Sequence, residues 1–333
     1  VTGLDATRDA SVPIVDVSGL SMADRAARAS VARELRATFE TIGFAYVTGH
    51  GVPPELVDAA FAASRAFHAL PLEAKMALRI NAAHRGYMPM ATSTIVTSSV
   101  ARVRRPNLSE SLMVMHELAP DDPDLLAGKP LQGPNQWPDL PGFRDTILAY
   151  NSALEALARR LTAAVALGFG LPEDFFAPHF ARPTTWLRLL HYPPQPPDDD
   201  DEQFGSAPHT DYGFLTILAQ DSTGGLEVQR RDGGWIQAPP RPGTFVVNVA
   251  DILMRWSDGV LVSTPHRVRN VSGRDRYSIP FFFDPAMDTI VTRLPGINEA
   301  APPRWPQVCF GDYVMERLDR NYAYRRRAEA AAG

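Results

Sequence analysis

The chain has 333 residues, 45% hydrophobic and 21% charged, with a formal net charge of −5. Those proportions exclude a disordered or fibrous chain, and the length is enough for a sizeable buried core. The acidic balance argues against nucleic acid as a partner, and no apolar run approaches the ~18 residues of a membrane span.

Cys309 is the only cysteine, so no intrachain disulfide forms and a reducing, cytoplasmic compartment is expected. No basic start followed by an apolar run opens the chain, and no secretion signal is expected. Arginine supplies nearly all the basic residues, with Lys75 and Lys129 the exceptions. With abundant Ala and Pro, that usage points to a GC-rich bacterial genome.

After a polar leader, residues 12–17 read as a strand. Val31, Leu35, Phe39 and Ile42 recur at helical spacing within 21–42. A strand follows at 44–48. Pro53 and Pro54 open a second helix with Leu56, Val57, Ala60, Phe61 and Ser64 on one face. A short helix is expected near 71–77, extended or irregular chain around Arg85-Gly86-Tyr87, and a core strand between Asn107 and Leu118. Residues 119–141 are rich in Pro, Asp and Gly and read as a loop. A long helix over 142–167 buries Ile147, Leu154, Leu157, Leu161 and Val165 and ends at Gly168 and Gly170. Trp186 to Tyr192 is a strand. The prolines and acids of 193–202 make a solvated loop. From 209 to 290, short strands alternate with Gly/Pro turns at roughly ten-residue spacing, as in a sandwich or barrel. A final helix is expected over 310–326.

The chemistry concentrates in that β-rich stretch. His209 and Asp211 are two apart and would share a strand face. His266 lies far enough along to come from another strand. Two His and one carboxylate on one side of a metal form the facial triad of non-haem Fe(II) oxygenases. A structural zinc site is the competing reading, but it usually has four protein ligands, and no thiol lies nearby. Arg276 and Ser278 also share a face and offer a donor fork and a hydroxyl suited to a carboxylate.

Taken in order, several segments resemble the isopenicillin-N-synthase-like group of Fe(II)/2-oxoglutarate-dependent oxygenases. They are Val12-Pro13-Ile14-Val15-Asp16, the run from Gly43 to Val52, Arg85-Gly86-Tyr87, His209-Thr210-Asp211, the run from Val247 to Asp251, the run from Ser263 to Val268, and Arg276-Tyr277-Ser278 leading into Phe281-Phe282-Phe283. The resemblance covers nearly the whole chain. It implies a mixed α/β protein with a mainly β core, a double-stranded β-helix (jelly roll) flanked by helices. An N-terminal dioxygenase region would span 10–120 and the jelly-roll core 180–290. Helices 142–167 and 310–326 would support them in one compact unit.

The resemblance also implies the reaction. His209, Asp211 and His266 would hold Fe(II), and Arg276, Ser278 and Tyr192 the distal carboxylate of 2-oxoglutarate. O2 and 2-oxoglutarate would give succinate and CO2 while a C–H bond of a small organic metabolite, of the kind found in secondary metabolism, is hydroxylated or desaturated. Asp211 argues against halogenation, because family halogenases lack that carboxylate. Leu190 stands where the family has an asparagine, and Arg188 on the same face is the residue able to compensate. Asn248 and Asp251 read as structural. Arg85, Tyr87, Arg102, Arg104 and Phe283, with Met88, Met90 and Met113, are the expected substrate-side residues, the arginines favouring an anionic substrate. Pocket shape depends on 80–110 and the carboxy-terminal helix. The enzyme is expected to act on a free small molecule, as a monomer or weak homo-oligomer. Two readings compete: a cyclase like isopenicillin N synthase, which uses no 2-oxoglutarate, and a non-catalytic jelly-roll binding or sensor protein. A cupin is a weaker third option.

Overall fold

The computed structural model describes residues 11–195, 203–322, 324 and 325, so the leader up to Ala10, the run from Pro196 to Glu202 and the pair Arg326-Arg327 lie outside it. The amino-terminal part runs β1 (Ile14–Asp16), α1 (Arg25–Thr41), β2 (Phe44–Thr48), α2 (Pro54–His68), α3 (Leu72–Met76), β3 (Gly86–Met88), β4 (Glu110–Met115) and α4 (Pro123–Leu126). After α5 (Phe143–Gly168) come β5 (Thr184–Tyr192), β6 (Ser206–His209), β7 (Leu215–Gln220), β8 (Leu226–Gln229), β9 (Trp235–Gln237) and β10 (Phe245–Val249). The chain continues through α6 (Asp251–Trp256), β11 (His266–Val268), β12 (Arg276–Asp284), β13 (Ile290–Val291), β14 (Val308–Cys309) and α7 (Phe310–Asn321).

Local chemistry sets the helix ends. Asp24 caps α1 by accepting from the Ala26 amide at 2.8 Å, and Pro54 opens α2 where its missing N–H costs nothing. Residues 119–141 are mostly loop, as their composition predicts, but Asp122 caps the one-turn α4 within them. Gly168 is the last residue of α5 rather than its stop. The left-handed turn falls on Gly170, at φ +73°. α7 ends at Asn321, and Tyr322 pairs in an extended bridge with Ser93.

Among the described residues, eight strands form one sheet in the order β1-β2-β10-β7-β12-β5-β4-β3, and four form a second, β6-β11-β8-β9. Within the large sheet only the β1–β2 pair is parallel. Side-chain alternation along β5 shows how the layers divide. Leu187 and Leu189 join Leu154, Leu157 and Leu161 of α5 in a core behind the large sheet. Leu190 and Tyr192 point the other way and pack with Leu226, Val228 and Val268 of the small sheet. The two sheets are therefore the halves of a jelly roll, with α1, α2 and α5 on its outer face. The interior between the sheets is where the even-numbered residues of β5 and β12 meet the small sheet.

A charged cluster sits behind that interior. Glu110 of β4 accepts from Lys75 Nζ at 2.8 Å and from the Tyr87 hydroxyl, and contacts His191 Nδ1 at 2.8 Å. Burial works against the Glu110 carboxylate, but these partners outweigh it and hold the group down at about 2. His191 and Tyr277 flank Tyr192 and Arg276 in sequence and stack on each other at 4.9 Å. They tie together the backs of β5 and β12.

Candidate active site

β6 ends at His209 and β11 begins at His266, and the two are register partners in the small sheet. Their rings lie 4.3 Å apart between centroids. Asp211 is not on the strand, as the alternation argument assumed. It lies in the loop after β6, where its carbonyl accepts from the Asp251 amide at 2.9 Å. That loop turns the carboxylate back onto the imidazoles. Asp211 Oδ1 is 3.7 Å from Nε2 of both His209 and His266, and one donor atom from each residue falls within 4.8 Å of the others.

The hydrogen bonds leave the right atoms facing one another. His209 Nδ1 is 2.8 Å from the Ala207 carbonyl and His266 Nδ1 3.3 Å from that of Thr264. A carbonyl can only accept, so each Nδ1 carries the proton and each Nε2 keeps its lone pair for a metal. Asp211 Oδ2 accepts from Thr216 Oγ1 at 2.6 Å and from Asn248 Nδ2 at 2.8 Å, which leaves Oδ1 for the same point. Burial, with His266 beside it, pushes His209 down to about 4, so its ring is neutral at neutral pH. Burial alone would raise Asp211, but the imidazoles and its two hydrogen-bond donors hold it below the usual carboxylate range.

Two His and one carboxylate, with the opposite side open to a cavity, suit Fe(II) with exchangeable positions better than a closed four-ligand zinc site. Thr216 was not singled out in the sequence, and Asn248 was read there only as structural. Asn248→Ala is expected to weaken binding of a divalent metal by about 10- to 100-fold, the usual effect of removing a group that orients a ligand. Competition with a chelating dye measures this, and an unchanged affinity would deny Asn248 that role.

The cavity has two lobes that meet at His209 and Asp211. One, of about 630 Å³ counting its open part, is lined by Tyr192, Arg276 and Ser278 along with Leu190, Leu218 and Val268. Arg276 is fully buried. Its Nε donates to the Gly224 carbonyl at 2.5 Å, Nη2 contacts Gln220 Oε1 at 3.3 Å, and the guanidinium stacks 4.8 Å from the Tyr192 ring. Nη1 is buried without a partner. Such an unmatched donor costs free energy unless a ligand satisfies it. A carboxylate beside Ser278 would do so, which fits a dicarboxylate co-substrate. Leu190 offers no polar contact there, as its identity predicts.

The second lobe, about 740 Å³ on the same measure, runs towards α7 and is lined by Ile95, Met113, Trp186, Tyr212, Phe282 and Leu318, among others. Most of the substrate-side residues expected from the sequence lie elsewhere. Fully buried Arg85 donates through Nη1 to the His116 carbonyl at 2.8 Å and to Asn135 Oδ1 at 2.9 Å, and through Nη2 to the Leu131 carbonyl at 3.4 Å. It is a bracket for that loop, and burial pushes it down to about 10. Tyr87 donates to Glu110 on the back of the sheet. Phe283 stacks on Phe180 at 4.9 Å within the outer core. Arg102 and Arg104 are exposed, and neither is among the residues lining the two lobes. Met113 does line the second lobe, while Met88 and Met90 are not among its lining residues. Asp251 is structural: it accepts from Ser263 Oγ at 2.7 Å and from the Tyr313 hydroxyl at 2.8 Å, tying α7 to the loop behind the triad.

Comparison with known proteins gives the family. Residues 12–140 match the family model for the non-haem dioxygenase in morphine synthesis N-terminal region, and residues 183–285 that of the 2OG-Fe(II) oxygenase superfamily. A 2-oxoglutarate-Fe(II) type oxidoreductase of Emericella nidulans is 37% identical over 328 residues, covering 96% of this chain and 91% of its own. Among solved structures, the full-length Neurospora crassa T7H in complex with alpha-KG and thymine superposes with a TM-score of 0.82 at 29% identity, over 93% of this chain and 96% of its own. JOX2 in complex with 2OG, Fe and JA gives a TM-score of 0.76 at 26% identity, over 94% and 89% of the two chains. The jelly roll, the triad and these matches agree: the chain belongs to the 2OG-Fe(II) oxygenase superfamily and is a 2-oxoglutarate-dependent Fe(II) oxidoreductase.

Proposed function

We propose that His209, Asp211 and His266 are the three iron ligands, that Arg276, Ser278 and Tyr192 hold the distal carboxylate of 2-oxoglutarate, and that the enzyme hydroxylates or desaturates a small organic molecule in the second lobe. The observation that carries the co-substrate assignment is the buried, unpartnered Nη1 of Arg276 in a lobe that opens onto the triad. When bound, iron and 2-oxoglutarate supply the oxidising chemistry, in which O2 and 2-oxoglutarate yield succinate and CO2 as a substrate C–H bond is oxidised.

The chain's own residues do the positioning. Thr216 and Asn248 fix the Asp211 carboxylate, and the Ala207 and Thr264 carbonyls fix the imidazoles. Arg276, braced by Gly224 and by the Tyr192 ring, sets how deep the co-substrate sits. Trp186, Tyr212, Phe282 and Leu318 exclude water from the substrate side. That exclusion and orientation are the protein's main catalytic contribution.

Solved relatives bind molecules as small as thymine, which supports a small-molecule substrate here. No helix among the described residues is long and apolar enough to cross a membrane. The formal net charge of −5 and the single cysteine favour a cytoplasmic enzyme acting on a free metabolite, as a monomer or weak homo-oligomer. Succinate release and O2 consumption measured together test the reading. Equimolar amounts are expected in the presence of substrate. O2 uptake without succinate would favour the cyclase-type oxidase, and no iron-dependent O2 uptake at all would favour a binding protein.

A further inference from the structure

Arg188 is the cation that lines both lobes of the cavity. It lies on β5 between Trp186 and Leu190, on the face that looks into the jelly roll. Its Nε donates to Ser111 Oγ at 2.9 Å, and Nη2 reaches only the Met88 thioether, at 3.5 Å. A thioether is a weak acceptor. Among the described residues no carboxylate oxygen lies within ion-pair distance of Arg188, and no oxygen accepts from its Nη atoms. Arg276 faces the first lobe, braced by Gly224 and Gln220 with only Nη1 left over, and Arg85 is held by three oxygens outside both lobes.

Charge sharpens the point. In the loaded site a divalent cation balances a dicarboxylate, and Asp211 balances Arg276. Arg188 is then left as a half-buried charge with no carboxylate within ion-pair distance among the described residues, since Asp284, the other carboxylate besides Asp211 on the second lobe, is turned to the Phe214 amide. Leaving a charge so placed is costly, whereas a planar guanidinium pairs well with an incoming carboxylate. In the same lobe the Asp284 carboxylate faces the buried Trp186 indole N–H and accepts from the Phe214 amide at 2.8 Å. The other walls combine apolar side chains, Ile95, Met113, Phe282 and Leu318, with the polar Ser93, Asn107 and Asn321.

We infer that Arg188 is the specificity-determining residue of the substrate lobe, and that the substrate is a small, mainly apolar molecule carrying one carboxylate, which pairs with the Arg188 guanidinium. The inference rests on the oxygenase reading of the site and adds the substrate's chemical class to it. It also relocates the anion site from Arg85, Arg102 and Arg104, the positions expected from the sequence, to a residue that faces the triad. Ser111 is the brace that holds Nε and leaves the outer edge of the fork for the ligand.

The test uses matched probes on the full chain loaded with Fe(II) and 2-oxoglutarate under anaerobic conditions. Phenylacetate and indole-3-acetate are compared with their primary amides by calorimetry. The wild type is expected to bind at least one acid about tenfold more tightly than its amide, a preference of roughly 1.4 kcal/mol. R188Q should erase that preference. R188K should restore part of it, since Lys keeps the charge but lacks the fork. 2-Oxoglutarate affinity is measured on the same samples and should stay near the wild-type value. No acid preference in the wild type, or an equal preference in R188Q, overturns the inference. So does an R188Q variant whose main defect is in 2-oxoglutarate binding, because Arg188 then serves the co-substrate. Failure of the oxygenase reading shows up separately, as wild-type protein that releases no succinate from 2-oxoglutarate and O2.

Discussion

Alanine in place of His266 is expected to reduce Fe(II)-dependent O2 consumption to background while the protein stays folded. The loss follows from the ligand count. Three donor atoms converge within 4.8 Å, and removing one leaves a single imidazole and a carboxylate in a site built for three. The fold should survive, because His266 contributes to the small sheet through its backbone, which pairs with His209 and Val228 whatever the side chain. What the truncation removes is the ring's edge contact with Phe44 at 5.3 Å and its place beside His209. Loss of such packing typically costs about 1–3 kcal/mol, a tolerable fraction of a domain's stability. Metal content, O2 uptake and a thermal melt should be measured on one preparation. A folded variant with normal metal content and full O2 uptake would remove His266 from the site.

Much of this site was legible because strands keep a strict two-residue period. Arg276 and Ser278 share a face for that reason, and the same parity continues through Pro280 to Phe282, which all line the cavity. Applied without lapse, it selects Phe282 for the substrate lobe and sends Phe283 to the outer core, where it stacks on Phe180. The choice of Phe283 from the sequence thus overlooked a signal that was present. Parity on β5 likewise groups Trp186, Arg188, Leu190 and Tyr192. Other features have no local signature. Asp211 reaches the imidazoles through a loop whose turn depends on Asp251, which comes from a different part of the chain. Asn248 meets Asp211 only once β10 has paired with β7. The burial of Arg85 against carbonyls of a distant loop reverses the usual reading of an arginine as surface or ligand-binding, and nothing near it in sequence announces that. α4 was missed because a single turn capped by Asp122 carries too few residues to show a period.

Arg276→Ala is expected to raise the KM for 2-oxoglutarate at least about tenfold, or about 1.4 kcal/mol, with kcat at saturating co-substrate much less affected. The direction follows from the proposed place of Arg276. There it would hold the end of the co-substrate away from the metal and contribute similarly to ground and transition states, so its loss falls mainly on KM. The size follows from burial. A buried Arg–carboxylate pair is worth more than an exposed ion pair, and truncating the arginine leaves the carboxylate without its counter-charge. The Gly224 carbonyl and Gln220 Oε1 also lose their donor, so some loss of thermal stability should accompany the change in KM. Arg276→Lys separates the two effects: its ammonium restores charge but not the fork that spans Gly224 and the ligand, and only part of the affinity should return. An unchanged KM in both variants would mean that the carboxylate lies elsewhere. A KM defect for the primary substrate, with 2-oxoglutarate having no effect on turnover, would instead favour the cyclase, in which the same Arg and Ser hold a carboxylate of the substrate. The assay therefore tests both which molecule Arg276 binds and how tightly.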